Sequence, residues 1–166
     1  MNRRSIIVAT LVAACVVTTS CTTPATPVAR ANAWADVAPP PGVRLTPGLA
    51  FNTAADPQTR RATYTFPLTN DATTSVDVLR IGEDGSGIKL LAVAPATPFT
   101  LAPGGNRSVT LTYLITDCVH LPRSAWPLPV QTRLALRTGT VALPLQSDGR
   151  TDPWQSFMAR PLCQAP

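Results

Sequence analysis

Ser108-Val109-Thr110-Leu111-Thr112-Tyr113-Leu114-Ile115-Thr116 is the stretch that decides the fold class. Val109, Leu111, Tyr113 and Ile115 fall on every second position, and Ser108, Thr110 and Thr112 alternate with them. A period of two sends successive side chains to opposite faces of an extended chain, so this segment reads as a strand with one apolar face and one hydroxyl-bearing face. Phe99 and Leu101 lead toward it through the turn Pro103-Gly104-Gly105-Asn106. Upstream the same alternation sets Ala62, Tyr64, Phe66 and Leu68 against Thr63, Thr65, Pro67 and Thr69. Downstream Val130, Thr132, Leu134 and Leu136 alternate toward Thr138-Gly139, a tight-hairpin signal, and Val141, Leu143 and Leu145 return from it.

Shorter pieces fill the gaps. Residues 45–51 read as a strand edge and Asn70-Asp71 as a turn. Val76, Val78, Leu79 and Ile81 form a strand whose broken alternation at Val78-Leu79 predicts a bulge. Glu83-Asp84-Gly85-Ser86-Gly87 is a turn, and residues 88–93 are an apolar strand ended by Pro95. No window longer than ten residues between Val43 and Gln146 carries helical periodicity. About seven short antiparallel strands broken by Gly, Pro, Asn and Asp predict an all-β sandwich. One helix is expected late: Asp152 as N-cap, Pro153 at the first helical position and Gln155 three residues after the cap, running to about Arg160 before Pro161 stops it.

The span of residues 63–117 resembles the Hydin-type immunoglobulin-like domains and related bacterial secreted modules. It carries a strand, a polar Asn70-Asp71 turn, a Val/Leu/Ile strand, then Phe99-Thr100-Leu101-Ala102-Pro103-Gly104 ahead of the alternating strand at Val109. The resemblance covers about a third of the chain, and Cys118 and the tail from Trp126 depart from it. It implies an immunoglobulin-like sandwich and a scaffolding or partner-binding habit, with no shared active site.

The amino terminus gives an address. Met1-Asn2-Arg3-Arg4 is followed by an apolar run over residues 6–17 and then Thr18-Thr19-Ser20-Cys21, an arrangement that resembles a bacterial lipoprotein signal. The run has 12 residues, whereas a spanning helix needs about 20, so it is an export segment. Cys21 is the expected lipidation site. Val12-Ala13-Ala14-Cys15 offers Cys15 as the alternative, and cleavage after Ala31-Asn32-Ala33 would discard both cysteines. Arg3-Arg4-Ser5-Ile6-Ile7 also resembles a twin-arginine signal. Residues 21–42, rich in Pro, Thr and Ala, then read as a tether, because proline fixes φ and removes a donor. The expected layout is a signal over residues 1–20, the tether over 21–42 and the sandwich over 43–166. Through the lipid the chain would have the membrane as a partner.

The net charge is +5, and loss of Arg3 and Arg4 with the leader leaves +3. The basic residues are scattered, with only Arg60-Arg61 adjacent after the leader. A nucleic-acid binder concentrates its charge in a patch, so no nucleic acid is expected as partner. With Cys15 and Cys21 assigned to the leader, Cys118 and Cys163 remain, and in an oxidising compartment they pair as a disulfide. Closing a loop of about 46 residues stabilises by roughly 4 kcal/mol in the chain-entropy treatment.

Other chemistry is thin. A metal or redox site at the thiols would have His120 as its third group and lacks Cys-x-x-Cys spacing. A cupredoxin-type copper centre would need two histidines and usually a methionine, but the chain has His120 alone and, after the leader, Met158. His120 with Asp117 and a serine could be written as a hydrolase triad, but there is no Gly-x-Ser-x-Gly elbow. Glu83, Asp84 and Asp148 beside glycines invite calcium without its ligand number, and read as turns. Asn106-Arg107-Ser108 matches the glycosylation sequon. Trp126 and Trp154 could stack on a sugar if exposed on one face, or pack the late helix onto the sandwich. No cofactor is expected. The resulting expectation is a non-enzymatic, membrane-anchored surface module that binds a protein partner or supports the envelope. A glycan-binding module using Trp126 and Trp154, and a secreted hydrolase around His120, are the alternatives.

Overall fold

The alternating Thr/apolar segments pair with each other. In the computed structural model, which describes residues 33–49, 51–122, 124, 126–145 and 153–164, β3 (Arg61–Asn70) and β7 (Asn106–Ile115) lie antiparallel in register, with Ala62 opposite Tyr113, Tyr64 opposite Leu111 and Phe66 opposite Val109. The order is β1 (Leu45–Pro47), β2 (Asn52–Asp56), β3, β4 (Val76–Ile81), β5 (Ile88–Ala94), β6 (Phe99–Leu101), β7, β8 (Leu128–Leu134), β9 (Arg137–Leu143) and α1 (Trp154–Cys163). β1 and β2 both pair with β3, which continues through β7 to β5; the second sheet runs β6-β4-β8-β9. From β3 to β8 each successive strand changes sheet. The molecule is thus a mostly-β, two-sheet antiparallel sandwich with one short C-terminal helix. Its described residues form nine strands rather than about seven: only Leu45–Pro47 of the 45–51 edge is a strand, Asn52–Asp56 adds an unforeseen one beyond it on β3, and Phe99–Leu101, read as a lead-in, pairs with β4.

The core is the one the alternation named. Ala62, Tyr64, Phe66 and Leu68 from β3 meet Val109, Leu111, Tyr113 and Ile115 from β7, with Val78, Ile81, Leu128, Val130 and Leu143 supplied by the other sheet. Burial pushes the Tyr64 hydroxyl up to about 12, since the phenolate would lose its hydration. The register of β4 against β8 shifts between Val78 and Arg80, which is the bulge expected at Val78-Leu79. It lets Val78 and Ile81 both face inward although they are three residues apart. A second shift, between Leu90 and Ala92 in β5, had no warning in the alternation.

Two expectations about the chain's path are corrected first. The hairpin turns at Ala135-Leu136, not at Thr138-Gly139, because Gly139 sits inside β9 opposite Thr132. A Cβ on Gly139 would lie 1.9 Å from the Ala38 carbonyl oxygen, so the glycine serves close backbone approach and not a turn. The stretch read as tether is therefore partly packed. Ala33–Asp36 forms a 3-10 turn, the Thr140 N–H donates to Val37 O at 2.8 Å, the Thr140 hydroxyl donates to the Trp34 carbonyl, and Pro40 is buried. Cys15, Cys21 and the tether up to Asn32 lie outside the described residues.

The helix also departs from its expected bounds. Pro161 lies within α1 instead of stopping it, and Pro153 occupies the N-cap position with no side-chain cap bond. Asp152 is outside the described residues. A proline near the last turn forfeits a single backbone bond, and the half-buried Leu162 and the Cys163 bridge hold the turn after it.

Asn70, expected in a turn, ends β3 with no solvent exposure. Its Nδ2 donates to the carbonyls of Thr74 (2.9 Å), Leu101 (3.0 Å) and Ala102 (3.1 Å), and its Oδ1 accepts from the Ala72 N–H (3.0 Å). One amide thereby ties the end of the first sheet to the crossover and to the β6–β7 turn.

Candidate partner-binding surface

The β7–β8 connection and α1 are fastened together at several points. Cys118 and Cys163 form the expected disulfide, with Cα atoms 5.5 Å apart. Ser156 Oγ donates to Pro122 O at 3.0 Å, and Trp154 Nε1 donates to Trp126 O at 3.0 Å. The buried Gln155 amide, with its oxygen toward Trp126, accepts from the Trp126 N–H at 3.1 Å. This glutamine turns inward, away from the capping role expected of it. Trp154 is only 1 % exposed and lies among Tyr64, Tyr113 and Trp126, with ring centroids 5.4, 6.0 and 5.7 Å away. Trp126 is half-buried against Gly85, its plane 62° from that of Trp154. The sugar platform is corrected on this geometry: stacking needs exposed, coplanar faces, and here one indole is core and the other crosses it edge-on.

His120 lies on the exposed loop after β7, where Nδ1 meets Asp117 Oδ2 at 2.5 Å. This contact and the Val119 N–H hold the Asp117 carboxyl below the usual carboxylate range. Among the described residues no serine hydroxyl bonds the imidazole, and no group of three or more His, Cys, Asp or Glu converges. A copper set is not assembled either: His120 is the sole histidine, Cys118 is spent in the disulfide, and Met158 is buried in α1. Of the acidic turn, Asp84 Oδ1 accepts from the Leu90 N–H at 2.8 Å, which makes it a turn brace; Asp148 is outside the described residues.

The sheet edges differ in accessibility. The edge made by β1 and β2 adjoins α1, where Phe157 packs edge-on against Phe51. β6 has three residues. β9 is covered by the Val37–Thr140 backbone bond and by Ala38. β5 remains. Among the described strands it pairs only with β7; Gly85 closes its first position by exchanging two backbone bonds with Ile88 (3.0 and 3.2 Å), and beyond that it displays Lys89, Leu91, Ala92 and Ala94. Beside it an open groove of about 330 Å³ is lined by Trp34, Arg80, Glu83, Asp84, Leu90 and Val93. Trp34 lies in a Pro/Ala-rich context that carries no signal of its folding back onto the sheets.

No known protein family matches the chain, and no curated protein matches it. Among solved structures it is similar to the cupredoxin domain of amoB from Nitrosocaldus yellowstonii at 10% identity and a TM-score of 0.36, covering 70% of this chain and 95% of that one. The disulfide places the chain in the class of proteins that mature in an oxidising, extracytoplasmic compartment.

Proposed function

We propose that this protein is an exported, lipid-anchored, non-enzymatic module of the cell envelope that captures an extended segment of a protein partner by strand addition along β5. The observation that carries the reading is the accessibility of that edge when the other three are flanked, shortened or covered. An open edge presents unpaired backbone donors and acceptors, which an incoming strand satisfies, while side-chain pockets beside it set specificity. The groove next to Leu90 and Val93 is such a pocket row. Lys89, the register shift at Leu91 and the Asp84 brace on the Leu90 N–H blunt the first half of the edge. A partner must therefore match the bulge and engage residues 92–94, which favours selective over promiscuous pairing. Anchoring through Cys21, or Cys15, would hold the module at the outer membrane face.

A photo-crosslinking residue placed at Leu91 in intact cells tests this. One discrete protein adduct is expected at Leu91 and none at Ala142 on β9. Equal labelling from both positions, or none from Leu91, contradicts capture at β5.

A further inference from the structure

We propose that the β8–β9 hairpin tip is a membrane-docking face that rests on an anionic lipid surface, with Leu136 as the inserting side chain. Leu136 is 99% exposed. It sits in a two-residue turn whose first member, Ala135, has φ 54. Turns of this kind ordinarily take Asn, Asp or Gly, which adopt the left-handed region with less strain. Ala135 accepts that strain, Leu136 gains no packing within the chain, and together with Pro41 and Leu134 they form a contiguous apolar surface patch that points to a use outside the chain. Beside the tip, Pro40, Pro41 and Leu134 line a shallow, largely apolar groove of about 400 Å³ with Arg137 on its rim. A protruding leucine next to an arginine suits the boundary between acyl chains and anionic headgroups, where the apolar group enters and the guanidinium stays with phosphate.

The position of the tip in the chain selects lipid as the occupant. The described chain begins at Ala33, whose 3-10 turn is fixed to Thr140 on β9, four residues from Leu136. Four strand residues span about 13 Å. The twelve residues from Cys21 to Ala33 can extend to at most about 40 Å. An anchor at Cys21, or at Cys15 with a longer reach, keeps the tip within touching distance of the bilayer. This inference rests on the anchoring proposed above, and the test separates the two.

The protein is exported with its own leader, purified from the envelope and assayed for detergent-phase partitioning, which reports the anchor alone. Leu136→Trp protein is then placed in vesicles of phosphatidylcholine with a third phosphatidylglycerol, carrying brominated acyl chains. The fluorescence added over wild type should fall by about half, as expected for an indole at the acyl boundary. If the protein does not partition into detergent, the anchor reading fails, and the same protein is added to preformed vesicles. Quenching then supports the docking face by itself. In either arrangement, absence of quenching overturns it. Leu136→Asp, a change at a fully exposed site, should melt as wild type and lose about tenfold in vesicle affinity. A Leu136→Asp protein that instead dissociates from dimer to monomer on gel filtration would assign the tip to a second copy and overturn the membrane assignment.

Discussion

Replacing Asn70 by Ala removes the amide that joins three segments, and the cost follows from which groups it strands. The Leu101 carbonyl and the Ala72 N–H are bonded to Asn70 in fully buried settings, whereas the Thr74 and Ala102 carbonyls are partly buried and can recruit water. Two buried groups left unsatisfied cost about 1–3 kcal/mol each, or about 4 kcal/mol together. That is a large share of the ~5–15 kcal/mol that stabilises a typical domain. With a urea slope of about 2 kcal/mol per molar, the unfolding midpoint should fall by about 2 M. Asn70→Asp sharpens the test. Its Oδ1 can keep the Ala72 bond, but a carboxylate oxygen would replace Nδ2 opposite three carbonyls at 2.9 to 3.1 Å. Burial and those dipoles raise the folded pKa above the unfolded value of about 3.9. The penalty is therefore largest above that pH and is relieved as pH falls toward it. Asn70→Asp should be less stable than Asn70→Ala at pH about 7, and the gap should narrow near pH 4. A midpoint shift under about 0.5 M for Asn70→Ala, or wild-type stability for Asn70→Asp at neutral pH, refutes the reasoning.

Other outcomes follow from the same structure. Gly139→Ala drives a Cβ into the Ala38 carbonyl; the strap at residues 34–40 should lift and the Thr140 amide should exchange at least about tenfold faster by hydrogen exchange, whereas unchanged protection contradicts the packed strap. Trp154→Ala should cost about 4 kcal/mol by urea unfolding, since it empties the aromatic cluster and removes the donor to Trp126 O; a loss under about 1 kcal/mol would mean that α1 is not part of the core. The Asp77 carboxyl is held below its ordinary value by the Thr100 hydroxyl and the Arg133 guanidinium. Its contribution is present above the unfolded pKa of about 3.9 and is lost as pH falls through the lower folded value, so Asp77→Asn should show a flatter melting-temperature profile than wild type below about pH 4.

Strand content and the core were legible because alternation reports burial directly: every apolar residue named in the segments at 62–68 and 109–115 faces inward. The bulge at Val78-Leu79 was legible for the same reason, as a slip in that period. Long-range backbone approach left no such trace. Gly139 next to Thr138 carries the composition of a turn, and only the folded position of Ala38 reveals that the glycine makes room for another strand of chain. Asn70 next to Asp71 likewise looks like turn chemistry, since the carbonyls that it ties come from 31 and 32 residues away. The disulfide could be deduced by elimination among four cysteines. The surface at β5 could not be deduced, because an edge is defined by which strands fail to cover it, and that depends on topology. Trp126 and Trp154 show the limit from the other side: composition allowed a platform or a packing cluster, and the helix direction chose the cluster.

The lock between α1 and the loop after β7 holds this account together, and peptide mapping by mass spectrometry of the exported protein, isolated without reductant and with free thiols alkylated, tests it most directly. The account expects Cys118 and Cys163 in one cross-linked peptide pair with neither residue alkylated. Recovery of both as alkylated thiols, in protein that still unfolds cooperatively, would contradict the stapled helix and with it the extracytoplasmic assignment.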